Sequence, residues 1–341
     1  MGKLKLKYII RKSLVPIHTI VNEFEYGNTF SLVSDHKDVL PSGKGDLKWV
    51  QYDYNVSSSI LEVWVDDNFW SMDYFFEKFM TLFFYNLLDF GDIYLSEIDL
   101  SMSELSSGCI SMNKIGGICF PLIGTMFKPY YHQTTEEKIN TARRFIECGC
   151  NVLKNDECFF LNKSELLFEA RAIHVAIGPD AYFVPNITAY IGDFDLIENL
   201  IKEGISVFMT DYLISGFKAI YKLKKYFPEI KLWGHRIGYE AIKSHISMDA
   251  LCVIAQLAGI DWLHIGTPRP QELMERKYLV EKLKIINPNF KPIFSIVTPQ
   301  VSEYLLPIFG IDAVYLGCGY YRDEDGNINW EKVRTWCDSF K

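Results

Sequence analysis

The chain has 341 residues, of which 49% are hydrophobic and 15% aromatic, and its formal net charge is -8 with a pI near 5.5. That apolar share excludes a disordered chain and is enough for one large core plus a smaller one. The acidic balance excludes general affinity for polyanions, so nucleic acid is not an expected partner.

In chain order, the N-terminus has Leu6 where a myristoylation signal requires Ser or Thr, and no apolar run reaches about 18 residues. The expectation is a soluble, cytoplasmic protein with no membrane partner, whose eight cysteines are reduced thiols. Residues 38–46, with Pro41, Ser42, Gly43 and Gly45, read as a loop. Residues 60–65 read as a strand, 74–88 as an aromatic-rich helix and 93–100 as a further strand, which together make a small α+β domain over 1–118. From about residue 119, short apolar runs alternate with longer amphipathic stretches. The runs are 124–129, 151–157, 182–188, 207–213, 231–237, 262–266, 292–297 and 313–319, with helices such as 135–148 and 247–257 between them. Cys148 and Cys150 flank Gly149 without a second pair at zinc-ribbon spacing, which favours packing over a zinc site. Lys222, Lys224, Lys225 and Lys231 sit among apolar residues as on the wet face of an amphipathic helix. Eight strands at this spacing fit a (β/α)8 barrel over 119–341; an open doubly wound sheet is the alternative.

Barrels of this kind carry their chemistry where strands end. Here the ends offer Lys128; Lys154, Asp156 and Glu157; Asn186 and Thr188; Asp211; His235 and Arg236; His264; Ser295; Gly317 and Gly319. In the 151–157 run, a strand's alternation puts Lys154 and Asp156 on one face, with Glu157 where the strand runs out. Such a group can hold a hard divalent cation if the lysine has become a carbamate, which supplies an oxygen anion in place of a repelling ammonium. A Lys-Asp ion pair at a strand end is the plainer reading, and a single strand-end histidine is more often structural than catalytic.

Together these ends resemble the RuBisCO large-chain superfamily, in the manner of a RuBisCO-like protein. Lys154-Asn155-Asp156-Glu157 resembles the family's Lys-Asp-Asp-Glu metal motif, and Thr125-Met126-Phe127-Lys128-Pro129 its Thr-x-x-Lys-Pro strand. Pro185-Asn186-Ile187-Thr188-Ala189, Asp211-Tyr212-Leu213, His235-Arg236 and Ile246-Ser247-Met248 follow in family order, and the run from Gly259 to Thr267 is most similar to the archaeal branch. The resemblance implies Mg2+ on a carbamylated Lys154 with Asp156 and Glu157, formed with activating CO2. It implies Lys128 as the base that turns a keto substrate into an enediol, and His235 as substrate contact and proton relay. His264, Ser295, Gly317 and Gly319 would bind substrate, Arg236 a phosphate, and Asn86 would reach the substrate from the neighbouring subunit of a homodimer.

The departures set expectations too. After the sixth strand, carboxylases carry a flexible loop with Gly-Lys; this chain has Thr267-Pro268-Arg269-Pro270-Gln271, with Arg269 or Lys277 as speculative substitutes. Tyr130 replaces a lysine, and Ile296 and Val297 stand where two glycines hold a phosphate in the family. The expected activity is therefore Mg2+-dependent enolisation, tautomerisation or isomerisation of a keto compound, phosphorylated once or not at all, without CO2 fixation; decarboxylase chemistry uses a similar intermediate. A true ribulose-1,5-bisphosphate carboxylase and a non-catalytic metal-binding scaffold are the alternatives.

Overall fold

The computed structural model describes residues 2–14, 17, 20–21, 43–46, 50–66, 76, 79, 91–103, 121–126, 133–155, 161–295, 297–309, 312–325 and 327–340. Two compact units result: Met1–Ser111 with Gly238–Ala258, and Met112–Ile237 with Gly259–Lys341.

In the first unit, strand β1 (Lys3–Ser13) alternates lysines with Leu4, Leu6, Tyr8 and Ile10, which are buried. That period of two makes a strand with one wet and one packed face. It lies between β4 and β5 in an antiparallel sheet, ordered β2-β3-β4-β1-β5, with β2 (Gly43–Asp46), β3 (Val50–Asn55), β4 (Ile60–Asp66) and β5 (Gly91–Met102). On the wet face, Lys5 Nζ meets Glu62 Oε1 at 2.8 Å. Strand β2 corrects the loop expected over 38–46: Gly43 to Asp46 pair with β3, because a backbone ladder needs no apolar side chains at an edge. Of the helix expected at 74–88, the described Phe76 and Phe79 are helical and buried. Leu95 N–H donates to His245 C=O, and Ser247 N–H returns to Leu95 C=O. Ser247 then caps the helix Met248–Leu257.

The second unit is a parallel (β/α)8 barrel. Its strands are β6 (Leu122–Met126), β7 (Val152–Lys154), β8 (Tyr182–Val184), β9 (Val207–Asp211), β10 (Lys231–His235), β11 (Trp262–His264), β12 (Lys291–Ser295) and β13 (Ala313–Leu316). The sheet order β8-β7-β6-β13-β12-β11-β10-β9 closes where Ile187 N–H donates to Met209 C=O and Met209 N–H to Pro185 C=O. Alternate residues point inward. Val152, Val184, Met209, Trp233, Ile293 and Tyr315 form one interior cluster, so the barrel is packed, not hollow. Each predicted run overlaps one of these strands and overshoots its C-terminal end, and β6 and β12 begin before their runs do.

Two of the four lysines expected on a wet helix face are buried instead. Lys224, in the helix Phe217–Tyr226, and Lys231, at the start of β10, both reach the fully buried Asp261, at 3.0 and 3.4 Å. Asp261 also accepts Leu232 N–H, and Lys224 donates to Ile230 C=O. Lys222 and Lys225 remain exposed. Cys148, Cys150, Cys252 and Cys337 are buried free thiols. No helix among the described residues is long and apolar enough to cross a membrane.

Candidate functional site

The inward phase of the barrel strands selects the site. Counting back in twos from each strand's last residues, β7 presents Val152 then Lys154, β9 Met209 then Asp211, β10 Trp233 then His235, β11 Trp262 then His264, and β12 Ile293 then Ser295. Apolar residues fill the lower layers, and one polar group from each of these strands tops them at the C-terminal rim.

Lys154 is fully buried. Its Nζ lies 3.4 Å from Met209 Sδ and 5.6 Å from the centre of the Tyr315 ring. Burying a cationic amine carries a large desolvation cost.

His235 Nδ1 lies 2.7 Å from Asp211 Oδ1, and Asp211 is fully buried. Asp211 N–H donates to Thr188 Oγ1 at 2.9 Å, Thr188 Oγ1 lies 2.6 Å from Asn186 Oδ1, and Asn186 N–H donates to Asn155 Oδ1 at 2.7 Å. Polar atoms at four neighbouring strand ends thus form one chain of contacts.

His264 has a different setting. Its Nδ1 is 2.7 Å from Ser295 Oγ, while its buried Nε2 has no hydrogen-bond partner among the described residues. Its pKa is held well below the usual histidine value, first by burial and then by the nearby His235, Lys154 and Arg236. The two imidazoles meet edge to face with centroids 5.1 Å apart. Arg236 lies against Gly266: a Cβ there would come within 3.2 Å of its guanidinium Nη2, and the backbone is in the left-handed region, so glycine serves both conformation and space.

The barrel therefore gathers Lys154, His235, Arg236, His264 and Ser295. Gly317 precedes the short helix Cys318–Tyr321, in which Gly319 lies. Lys128, Asp156, Glu157 and Asn86 fall outside the described residues. Sequence reasoning named Asp211, Asn186 and Thr188 as strand-end polar residues but gave them no role; the inward phase of Asp211, two residues beyond Met209, was the available signal.

The loop between β11 and the next helices is tied down. Thr267 Oγ1 donates to Ser295 C=O, Tyr304 Oη donates to the buried Pro268 C=O at 3.3 Å, and Pro270 starts the one-turn helix Pro270–Glu272. Arg269 pairs with Glu272 at 3.0 Å, and Lys277 approaches Glu281 within 3.9 Å, so both speculative substitutes are held in local pairs. At the end of β12, Val297 N–H donates to Tyr315 C=O and Val297 C=O accepts the Trp336 indole N–H.

The family model for the ribulose bisphosphate carboxylase large chain, catalytic domain, matches residues 108–284, just over half of the chain. The ribulose bisphosphate carboxylase of Archaeoglobus fulgidus is 28% identical over 189 residues, covering 51% of this chain and 43% of the relative. That of Methanocaldococcus jannaschii is 25% identical over 241 residues, covering 60% and 57%. The match thus spans about half the length of these curated relatives. Among solved structures, the octameric Rubisco of Pyrococcus horikoshii superposes with a TM-score of 0.75 at 18% identity, covering 99% of this chain and 89% of that one. A rubisco-like protein from Burkholderia fungorum gives 0.73 at 18%, covering 100% and 94%. At these identities the structural likeness speaks for the fold. With the family model, the colinear motifs and the barrel in agreement, the chain belongs to the RuBisCO large-chain family.

Proposed function

We propose that this protein is a RuBisCO-like enzyme that catalyses Mg2+-dependent enolisation, tautomerisation or isomerisation of a keto substrate, phosphorylated at most once, without fixing CO2. The observation that carries this reading is a contrast within one rim. Lys154, His235, His264 and Ser295 converge, while the β11 loop that follows holds no Gly-Lys and is fastened by Thr267, Pro268 and the Arg269–Glu272 pair. These contacts, with the missing Gly-Lys, support a loop that does not bring a lysine over a carboxylated intermediate. Val297, whose N–H is spent on Tyr315 C=O, is unsuited to a phosphate nest.

Among the described residues no cluster of three His, Cys, Asp or Glu side chains forms a cation site, so the reading rests on Lys154 and on the carboxylates that follow it in the chain. A fully buried lysine ends β7, and the next residues but one in the chain are Asp156 and Glu157. Lys154 reacting with CO2 would lose a proton to give a carbamate, and with Asp156 and Glu157 would hold Mg2+. The bound cation supplies positive charge that polarises the substrate carbonyl. In this reading Lys128 takes the proton next to the carbonyl, since an amine near a cation has a lowered pKa and works as a base near neutrality. His235 carries protons to and from the resulting enediol. His264, kept neutral, offers its free Nε2 to a substrate oxygen. Arg236 holds an anionic group with its guanidinium fork, and Gly317 and Gly319 leave room for one. We further propose a homodimer in which Asn86 completes the neighbouring site, and a division of the chain into domains 1–118 and 119–341.

Proton exchange in D2O with Mg2+ and bicarbonate, followed by NMR over a panel of keto acids and keto-sugar phosphates, tests the reading. Exchange should occur with the native protein and vanish in Lys154→Ala, and mass spectrometry should find a CO2 adduct on Lys154. Failure of every compound, with no adduct, would leave the scaffold alternative. Because the curated relatives bear the carboxylase name, incorporation of labelled CO2 into ribulose bisphosphate is the decisive assay for the carboxylase alternative.

A further inference from the structure

Resting on the enolising reading, we propose that Asp211 is a positioning residue that locks His235 as its Nδ1–H tautomer, leaving Nε2 as the atom that exchanges protons with the substrate. Asp211 is fully buried and its carboxylate can only accept, so the 2.7 Å contact from His235 Nδ1 requires the proton to sit on Nδ1. The same bond fixes the ring's rotation, as second-sphere carboxylates do for other working imidazoles.

The carboxylate is itself held. Its residue's N–H is taken by Thr188 Oγ1, Thr188 is anchored through both Oγ1 and N–H to Asn186 Oδ1, and Asn186 N–H ends on Asn155 Oδ1, beside Lys154 in the chain. This scaffold runs across the ends of β7, β8, β9 and β10, with Asp211 and His235 the last residues of β9 and β10 and with Asn155, Asn186 and Thr188 just past β7 and β8. His264 faces the ring edge-on and contacts Ser295 through its own Nδ1. The two histidines therefore divide the work: one is oriented by a carboxylate to shuttle protons, the other is a neutral hydrogen-bonding group.

Long-range 15N–1H NMR of the substrate-free protein, with His235 assigned by its loss in His235→Gln, tests the proposal directly. The expected spectrum shows a protonated Nδ1 and an unprotonated Nε2. In Asp211→Asn, the amide can turn its NH2 toward Nδ1, which moves the proton to Nε2, and kcat for proton exchange should fall about 100-fold or more with KM within about threefold. A wild-type His235 protonated on Nε2 overturns the proposal even if the variant does not fold. So does an Asp211→Asn protein that keeps both the tautomer and the rate. If the tautomers behave as expected but no keto compound exchanges a proton, the positioning role stands and the enolising reading falls. Exchange that survives Asp211→Asn unchanged leaves the enolising reading intact and removes the role of Asp211.

Discussion

Strands β10 and β11 each carry one polar cluster at their start and another at their end, and the two clusters are built on opposite principles. At the start, Lys231, Lys224 and Asp261 satisfy one another, with Leu232 N–H and Ile230 C=O taking up remaining valences. At the end, His235 and His264 are each held by one ring nitrogen, while His264 Nε2 is buried with no partner among the described residues. A buried polar atom left open costs about 1–3 kcal/mol. A fold tolerates that expense where a ligand will complete the bond. The comparison teaches that the N-terminal face of this barrel is a clamp and its C-terminal face a receptor, in keeping with the division seen in barrels generally.

The largest effect should come from breaking the clamp. Asp261→Ala leaves two buried ammonium groups without their anion and should cost about 3–5 kcal/mol in urea unfolding. If the loss is under 1 kcal/mol, the start of these strands is no clamp. On the receptor side, His235→Gln should slow proton exchange about 10²- to 10⁴-fold while leaving the urea midpoint nearly unchanged, which reverses the pattern of Asp261→Ala. Ser295→Ala removes the partner of His264 Nδ1 and should destabilise by about 1–3 kcal/mol, with weaker substrate binding as a second readout.

The smallest expected effect is a pH slope. His264 has a folded pKa well below 6.5, so below that pH the unfolded chain binds the proton more readily than the folded one. Stability is therefore complete above pH 6.5 and is lost as pH falls, with a slope approaching about 1.4 kcal/mol per pH unit for one proton. His264→Asn should flatten that slope in unfolding curves recorded from pH 7.5 to 5. An unchanged slope would mean that other groups set the acid sensitivity.

Much of the barrel was legible because both of its signals are local. Strand-end reasoning named Lys154, His235, His264 and Ser295, and the spacing of apolar runs counted the strands correctly. The runs overshot because residues just past several strands, such as Asn155, Asn186, Tyr212 and Ile265, are buried and continue the run in sequence. In the small unit, β2 was missed at Gly43–Asp46, since glycines and charges read as loop while the backbone pairs with β3 regardless. Lys224 and Lys231 were misplaced for a related reason. Periodicity assigns a lysine to water, and only the arrival of Asp261 from 30 or more residues away makes its burial favourable.

By itself, then, the amino-acid sequence determined the eightfold βα repeat, the family, and which polar residues stand at the strand ends, because these depend on neighbours along the chain and on the pattern of apolar runs. Tertiary structure alone decided that Asp211 meets His235 while Ser295 meets His264, that the β11 loop is fastened down, and that Asp261 binds two lysines. Those pairings join residues 24 to 37 positions apart, and which partner a buried polar group finds is set by strand register and by the cost of leaving it unpaired.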